Sequence, residues 1–496
     1  MTSRRTFLSQ IGLSAAGLLW AERILADAFH PSGTTTEPFR PIRIRGRVSS
    51  NGRGIGGVAV SDGLTVVRSD RDGTFFLVSS SLRRFVHLSL PSGYAIPLNP
   101  PGTARFYQPV PAGNGDEKTV SFSLERLEYA DDEHAFLLMA DPQTQDADDV
   151  SLLHREAVPD IRETASGLFP RHVFGVACGD IMYDRLDLFP EYERAVKAIG
   201  IPCFQVPGNH DVEVEALTDA TSFETFMRYF GPTYYSFNRG EVHYVVLDDI
   251  FWFGGYIGYI DQAQLDWLKA DLSCVEPGKT VVVLVHIPTF NLQFLRHGSE
   301  RLSLDVIVTN RELLYRLLES YRAYIVCGHM HESEYFVDGG AEIHISGAVC
   351  GAWWTGPICH DGTPKGYSIY EVKGNSLSWR YKSLGKPVEH QMRLYPPGSD
   401  DAHPDELIAN VWSADDAWSV IWFEDGEKRG AMRRGIGRDP LAVELYKGED
   451  RPKKRSWVEP LYTDHLFYAF PGPGAREIVV EATDRWGRLY KEKLIL

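Results

Sequence analysis

The strongest constraint on the fold is a unit that recurs five times along the chain: a short apolar run that ends in residues able to ligate a metal ion. Short apolar runs predict buried strands, and amphipathic helical patterns lie between them, for example at residues 188–199 and 262–272. This alternation of strand, polar loop and helix favours a layered α/β domain. The runs and the residues that follow them are 135–140 before Asp141-Pro142-Gln143, 173–178 before Gly179-Asp180, 203–206 before Gly208-Asn209-His210-Asp211, 280–285 before His286, and 324–327 before Gly328-His329-Met330-His331.

The loop Gly208-Asn209-His210-Asp211 carries the densest set of polar side chains, with an amide, an imidazole and a carboxylate in consecutive positions. Taken alone it is also explained as an ordinary turn, because turns are rich in Gly, Asn and Asp for backbone reasons. Loops past strand ends are nevertheless where α/β proteins place their chemistry, since a rigid sheet aims the loop residues. The recurrence of the pattern favours a functional site.

The ordered set D-x-Q, G-D, G-N-H-D, H and G-H-x-H resembles the calcineurin-like metallophosphoesterase family. The resemblance covers residues 133–385 and implies an α/β fold, a central αββα sandwich with a two-metal site between its sheets. We expect two small β-sandwich domains to flank this sandwich.

The resemblance assigns the metal ligands position by position. Asp180 would bridge the two ions, Asp141, Gln143 and His331 would complete the first site, and Asn209, His286 and His329 would complete the second. This mixture of carboxylate, amide oxygen and imidazole suits two divalent ions such as Mn, Fe or Zn. Histidine is common in the family where this chain has Gln143, so the first site is expected to bind its ion less tightly or to prefer Mn or Mg.

His210 is predicted to be catalytic and not a ligand, because its neighbour Asn209 already supplies a ligand. It would protonate the leaving oxygen or stabilise the developing charge. Asp211 either orients the imidazole of His210 or only fixes the turn. Asp184 is a second candidate for orienting an active-site group, although a solvated carboxylate at a helix start is the favoured interpretation.

The family resemblance implies a phosphoesterase in which two ions about 3.5–4 Å apart turn a bound water into the attacking hydroxide. A phosphorylated small molecule or protein is the expected partner. A phosphomonoester is preferred because Asp141-Pro142-Gln143 resembles a protein-phosphatase-like branch, while a phosphodiester or a nucleotide pyrophosphate remains open. An alternative of another class is a surface binding protein with a degenerate phosphoesterase core, which the intact ligand set disfavours.

Length and charge limit the remaining possibilities. A chain of 496 residues predicts about two to four domains. The net charge of −16 argues against a nucleic-acid partner or an anionic membrane surface as partner. The sequence contains no run of 18 apolar residues, so it predicts no membrane-spanning helix. Short strand patterns predict β-sandwiches at 38–128, of the carboxypeptidase-regulatory or immunoglobulin-like kind, and at 405–496, after a linker at 387–404.

The first 28 residues resemble a twin-arginine signal peptide. Ser3-Arg4-Arg5-Thr6-Phe7-Leu8 precedes a short apolar stretch and the small-residue cleavage pattern Ala26-Asp27-Ala28. An amphipathic helix or a membrane anchor is the alternative. Export would place the mature protein in the periplasm or outside the cell, where Cys350 and Cys359 are close enough in sequence to pair.

Three stretches are candidates for shaping the pocket. Residues 251–256 and the pair Trp353-Trp354 are aromatic clusters that belong either to a core or to a pocket wall. Arg296, His297 and Arg301 follow the predicted ligand His286 and belong either to a solvated loop or to a contact with an anionic substrate.

Overall fold

The computed structural model describes residues 40–113, 115–298 and 302–496. The predicted export signal at residues 1–28 and Arg301 lie outside these residues. One compact unit comprises Ile42–Ser79 and Arg83–Leu496. Within the described residues, no helix combines the length and the apolar character needed to cross a membrane.

Residues 41–123 form an N-terminal β-sandwich. One sheet has the order β2-β1-β5, with β8 parallel to β1, and the other has the order β4-β3-β6-β7. Alternate residues of the first sheet, such as Ile44 and Leu77, share a buried core with Val60 and Leu88 of the second. The strands are β1 Pro41–Ser50, β2 Arg53–Gly54, β3 Ala59–Ser61, β4 Val66–Arg68, β5 Thr74–Ser80, β6 Phe85–Leu88, β7 Tyr107–Pro109 and β8 Glu117–Ser123.

The turn at Asp72-Gly73 has the composition of a hairpin turn but joins strands of different sheets. It connects β4 with β5, and β5 pairs with β1. Asp72 accepts a hydrogen bond from the backbone N–H of Thr74, 3.1 Å away. This bond stabilises the turn itself but does not determine which strands pair.

The central domain contains a five-stranded and a six-stranded sheet. Their orders are β11-β10-β9-β20-β21 and β12-β13-β16-β17-β19-β18, and a small ribbon joins β14 to β15. The strands are β9 Glu133–Met139, β10 His172–Cys178, β11 Cys203–Val206, β12 Tyr235–Arg239, β13 Val242–Val246, β14 Ile250–Trp252, β15 Tyr256–Gly258, β16 Thr280–Leu284, β17 Arg322–Cys327, β18 Glu334–Asp338, β19 Ala341–Ile345, β20 Gly366–Lys373 and β21 Ser376–Ser383.

Strand alternation divides the central side chains between two kinds of core. Phe136 and Leu138 of β9 face the second sheet, in a core with Tyr244. Leu137 and Met139 face the opposite way, into a helix-lined core. Both faces of the central strands are therefore buried, which explains their continuous apolar runs.

Helices cover the outer face of each sheet and complete the αββα sandwich. Helices α2, α3 and α4 pack on the five-stranded sheet, and α5 and α7 pack on the six-stranded one. The helices are α1 Ala147–Leu152, α2 Val158–Gly167, α3 Phe189–Ile199, α4 Glu224–Phe230, α5 Gln262–Leu272, α6 Gln293–Arg296, α7 Arg311–Leu318 and α8 Pro440–Lys447.

The C-terminal module is a second β-sandwich with its own core, which includes Val420 and Val480. Its sheets have the orders β22-β23-β27-β26 and β25-β24-β28-β29. The module begins before residue 405, because β22 lies inside the stretch predicted as a linker at 387–404 and pairs with β23 of the module. The strands are β22 Arg393–Tyr395, β23 Leu407–Asn410, β24 Ser419–Glu424, β25 Glu427–Ala431, β26 Arg433–Arg438, β27 Tyr462–Ala469, β28 Glu477–Thr483 and β29 Leu489–Ile495.

All six cysteines are free thiols in the part of the chain that the structure describes. Cys350 and Cys359 are both buried but are not joined by a disulfide. Burial is the state expected of cysteine used as a small apolar side chain.

Candidate metal centre

The seven predicted ligands lie in the loops after five strands. Strands β9, β10 and β11 contribute from the five-stranded sheet, and β16 and β17 contribute from the six-stranded sheet. Each group of strands is parallel, so the carboxyl ends meet at one edge of each sheet. Contacts such as that between Asp180 and His286 join the two edges into one cluster.

Asp180, Asn209, His286 and His329 form the second of the two predicted sites. Nε2 of His286 lies 3.2 Å from Oδ1 of Asp180 and 3.1 Å from Oδ1 of Asn209. Nδ1 of His329 lies 3.2 Å from the same Nε2 atom. Ligand atoms of Asp180, His286 and His329 all lie within 4.8 Å of one another, which is the span of atoms around one ion.

Gln143 contacts the other oxygen of Asp180, and Asp141 and His331 pair with each other to complete the first predicted site. The side-chain amide of Gln143 donates from Nε2 to Oδ2 of Asp180, 2.8 Å away, and a half-turn of that amide presents its oxygen instead. Nε2 of His331 lies 3.5 Å from Oδ1 of Asp141. The two oxygens of Asp180 therefore face different sites, as a bridging carboxylate requires.

The three histidines each donate one ring N–H to a backbone carbonyl. This contact orients the ring so that its other nitrogen faces the cluster, where it could ligate a metal ion in its deprotonated form. The donors and acceptors are Nδ1 of His286 with Cys178 O at 3.0 Å, Nε2 of His329 with Asp305 O at 2.9 Å, and Nδ1 of His331 with Gly351 O at 2.6 Å.

These side chains fit two divalent metal ions. Nε2 of His331 is buried and has no hydrogen-bond partner among the described residues. A buried polar atom normally has a partner, and a bound metal ion would supply one here. Carboxylates, an amide oxygen and imidazoles are ligands that suit Mn, Fe or Zn.

The electrostatics of the cluster also favour a cation. Burial opposes a charged Asp180, but His286 and His210 outweigh it and lower the pKa of Asp180, so this carboxylate stays ionised. Burial likewise opposes a charged His286, but Asp180 outweighs it and raises the pKa of His286 to about 10. Burial and the neighbouring His286 lower the pKa of His329 to about 3. Asp180 thus stabilises a positive charge at His286, and a divalent ion bound beside Asp180 would gain from the same carboxylate.

Backbone strain is concentrated in the ligand loops. Five of the seven predicted ligands have positive φ angles, between 38° and 68°, in the left-handed region that non-glycine residues seldom occupy. Such conformations persist where the surrounding structure over-determines them, and they cluster at functional sites. The five are Asp141, Gln143, Asp180, His329 and His331.

Two glycines of the motifs allow the backbone to approach the ligand carboxylates. A Cβ at Gly208 would lie 2.4 Å from Oδ1 of Asp180, and a Cβ at Gly328 would lie 2.5 Å from Oδ2 of Asp141. The glycine before Asn209 and the glycine before His329 are therefore required by sterics, since a larger residue would displace a ligand.

Gly208→Ala is expected to destabilise the fold by about 1–3 kcal/mol through overpacking and to lower the metal content. Thermal unfolding and metal analysis of the purified variant measure both effects. Gly167→Ala is the matched control, because a Cβ there meets no heavy atom within 4 Å. Normal metal content in Gly208→Ala would contradict this account of the loop.

His210 projects beside the cluster with Asp184 as its partner. Nδ1 of His210 lies 2.8 Å from Oδ1 of Asp184, and the ring of Tyr183 stands edge-on, with 4.3 Å between the ring centroids. Burial opposes the charged imidazole, but Asp180 and Asp184 outweigh it and raise the pKa of His210. A protonated imidazole held this way is suited to donate a proton.

Asp211 holds the turn and does not contact the imidazole of His210. Its carboxylate accepts backbone N–H bonds from Ile181, Met182 and Gly208 at 3.0–3.1 Å. Of the two roles left open for Asp211, the contacts favour fixing the turn over orienting His210. Asp184 contacts His210 instead, although a solvated carboxylate was the favoured interpretation for it. Asp211 acts by joining the Asp180 loop to the Asn209 loop.

Three family models match the chain in sequence order. The N terminal of Calcineurin-like phosphoesterase matches residues 42–127, Calcineurin-like phosphoesterase matches 134–333, and the C terminal of Calcineurin-like phosphoesterase matches 343–490. The chain belongs to the calcineurin-like phosphoesterase family. Family membership makes it a hydrolase of phosphate esters with a dinuclear metal centre.

Several named relatives are similar to part of this calcineurin-like phosphoesterase. Serine/threonine-protein phosphatase CPPED1 of Mus musculus is 29% identical over 233 residues, which are 45% of this chain and 71% of that protein. Purple acid phosphatase 15 of Arabidopsis thaliana is 32% identical over 148 residues, 27% of this chain and 25% of that protein. The 3',5'-cyclic adenosine monophosphate phosphodiesterase CpdA of Escherichia coli is 26% identical over 167 residues, 32% of this chain and 54% of that protein.

Among solved structures, a dimetal phosphatase from Danio rerio is similar to half of this chain. The match covers 50% of this chain and 96% of that one, with 15% identity and a TM-score of 0.35.

Aromatic side chains wall the metal centre of this calcineurin-like phosphoesterase. The ring of Trp353 stacks on His331 with 4.0 Å between centroids, and Nε1 of Trp354 donates to the carbonyl of Pro142, 2.9 Å away. Of the cluster at 251–256, Tyr256 lies 6.1 Å from the ring of His329, while Phe253 is exposed. Both aromatic stretches therefore border the site, and both also contribute buried side chains.

Arg296 does not face the metal centre. Its side chain is buried and pairs with Glu334 and with Asp464 of the C-terminal module. The alternatives of a solvated loop or a substrate contact are both replaced by a buried ion-pair cluster. His297 lies 5.2 Å from the ring of Tyr462, again at the C-terminal module.

Two residues near the centre carried no signal in the sequence. Tyr183 lies inside the loop after Asp180, where its contact with His210 depends on the path of the loop. Arg455 is more than 300 positions from the helix it contacts, so no local pattern connects it with the site.

Proposed function

We propose that this protein hydrolyses phosphomonoesters of small molecules or proteins. The observation that carries the proposal is one arrangement: seven ligand side chains converge at one edge, and His210, braced by Asp184, stands beside them. Ligands alone would suit a structural metal site, whereas an additional imidazole poised for proton transfer suits turnover.

The residues that would hold the metal ions are those predicted from the sequence. Asp141, Gln143, His331 and Asp180 would hold one ion, and Asp180, Asn209, His286 and His329 would hold the other. We propose Mn, Fe or Zn, with Mg as an alternative beside Gln143. When bound, such a pair neutralises phosphoryl oxygens and lowers the pKa of a water that attacks phosphorus.

The chain's own groups would control the proton of the leaving oxygen. Asp184 accepts from Nδ1–H of His210 and orients the ring, so the transferable proton sits on Nε2. Nε2 gives that proton to the leaving oxygen as the ester bond breaks. The backbone N–H of His210 donates to Asp180 at 2.9 Å, which keeps the imidazole next to the bridging carboxylate.

Support for a monoester substrate comes from the matched relatives, of which one is named a serine/threonine-protein phosphatase and another a purple acid phosphatase. A third is named a cyclic nucleotide phosphodiesterase, so a diester is the competing substrate class.

Parallel assays with p-nitrophenyl phosphate and bis-p-nitrophenyl phosphate separate the two substrate classes. We expect kcat/KM to be higher for the monoester. A phosphoserine peptide and a matched small alkyl phosphate then distinguish a protein substrate from a small one. Preference for bis-p-nitrophenyl phosphate would overturn the monoester proposal and favour the diester.

We also propose that the protein acts in the periplasm or outside the cell after twin-arginine export. The motif around Arg4 and Arg5 and the pattern at Ala26–Ala28 support this location. Cell fractionation of a double Arg4→Lys, Arg5→Lys variant tests it, with the wild-type chain as control. Equal export of both chains would contradict the proposal.

A further inference from the structure

A short segment of the C-terminal module reaches the rim of the metal centre. The segment contains Lys454, Arg455 and Trp457 and lies between α8 and β27. Arg455 has a φ angle of 58°, and its side chain is only 4% exposed. A strained backbone that buries a guanidinium indicates that the surroundings fix this residue in place.

Arg455 binds three partners from the central domain. Its Nη2 lies 2.6 Å from Oδ2 of Asp149 in α1, and its Nη1 lies 3.3 Å from Oδ1 of the same carboxylate. Nη2 also donates to Oε1 of Gln145, 3.2 Å away, and Nη1 donates to the backbone carbonyl of Trp353. Such a planar fork with several acceptors gives geometric specificity that lysine lacks.

The contact with Trp353 connects Arg455 to the first metal site. Trp353 has a φ angle of 52°, and its ring stacks on His331 with an interplanar angle of 16°. The ring of Trp457 packs edge-on against the same Trp353 ring, with 4.4 Å between the two centroids. Arg455 therefore anchors the backbone of Trp353, and Trp457 contacts its ring, which stacks on the predicted ligand His331.

A second path leads from Arg455 to the predicted acid. The guanidinium lies 5.6 Å from the centroid of the Tyr183 ring, and that ring stands edge-on to His210. One side chain from the C-terminal module thus borders both halves of the centre.

We propose that the C-terminal module completes the metal centre, with Arg455 as a positioning residue that holds Trp353 against His331. The module is then part of the metal centre and not an appended domain. The inference deepens the proposed function but rests on metal binding, which is measured without a substrate.

The test compares Arg455→Ala, Arg455→Lys and Arg485→Ala with the wild-type chain. Arg485 is the matched control, because it also pairs the C-terminal module with the central domain, through Glu342, but touches no residue of the site. Each protein is stripped of metal, and its unfolding is recorded to confirm a folded state. Mn²⁺ is then titrated at equilibrium, and bound metal is counted after gel filtration.

We expect Arg455→Ala and Arg455→Lys to weaken one of the two Mn²⁺ sites about 10- to 100-fold, while Arg485→Ala keeps both. Arg455→Lys decides the outcome if Arg455→Ala does not fold, since it keeps a positive charge beside Asp149 but not the fork. Co²⁺ spectra of the same variants report the changed ligand geometry. Wild-type Mn²⁺ affinity and Co²⁺ spectra in the Lys variant would overturn the inference. If wild type binds two ions but hydrolyses no phosphate ester, the proposed function fails and this inference stands.

Discussion

Asp180→Asn is expected to remove most of the bound metal and to lower kcat by about 10³-fold or more. Asp180 faces Gln143 with one oxygen and His286 with the other, so it is the side chain shared by both sites. An amide has the same shape but no negative charge and only one oxygen ligand. Each bound ion would contribute several kcal/mol to stabilising the transition state. Loss of the bridging carboxylate weakens both metal sites and therefore lowers kcat strongly.

The control for Asp180→Asn is Asp187→Asn. Asp187 is an exposed carboxylate that pairs with Arg185 and contacts no predicted ligand. We expect this variant to retain the metal content and kcat of wild type, because exposed ion pairs contribute little. Metal analysis and steady-state assays measure both variants. Two ions per chain in Asp180→Asn would contradict the bridging assignment.

His210→Ala is expected to lower kcat by about 10²- to 10⁴-fold while the metal content stays unchanged. The side chain is the predicted proton donor. Its backbone N–H, which donates to Asp180, survives the substitution. The loss should be smaller for p-nitrophenyl phosphate than for an alkyl phosphate, because p-nitrophenolate leaves without much help from an acid.

Asp184→Asn is the graded control for the role of His210. The amide still accepts from Nδ1–H of His210 but removes the charge that favours the imidazolium. We expect a smaller loss of kcat than in His210→Ala, with the same dependence on the leaving group. If His210→Ala lost metal, or lost equal activity on both esters, proton donation would be the wrong role for this residue.

The sequence was sufficient to bring the ligands together because each follows a strand that is buried on both faces. Apolar runs predict such strands, and parallel strands place their loops at a common edge. The structure joins Asp141 to His331 and Asp180 to His286 as that pattern indicates.

The sequence was not sufficient to choose between Asp184 and Asp211. The sequence left Asp211 with two equal roles, and its carboxylate accepts hydrogen bonds from three backbone N–H groups. Asp184 is reached by a loop in which Asp180 and Asp184 both have positive φ. Residues in the left-handed region change the direction in which the following side chains point, and the local sequence pattern does not predict which non-glycine residues adopt it.

The contribution of the C-terminal module was hidden for a different reason. Arg455 meets Asp149, and Arg296 meets Asp464, across long separations in the chain. Hydrophobic periodicity predicts which face of a helix or strand is buried, but it does not predict which charged residue from a distant part of the chain packs against that face. For this reason the sequence indicates a solvated loop or a substrate contact for Arg296, and not the buried cluster that the structure shows.

The most direct test of the central claim is metal-dependent hydrolysis by the full chain. The protein is stripped with a chelator, and Mn, Zn, Fe or Mg is restored in separate samples. Hydrolysis of p-nitrophenyl phosphate and bound metal are then measured together. We predict that chelation abolishes turnover and that restored turnover rises with the second bound ion, in wild type but not in His210→Ala. Turnover that survives complete removal of metal, or that His210→Ala retains in full, would contradict the account.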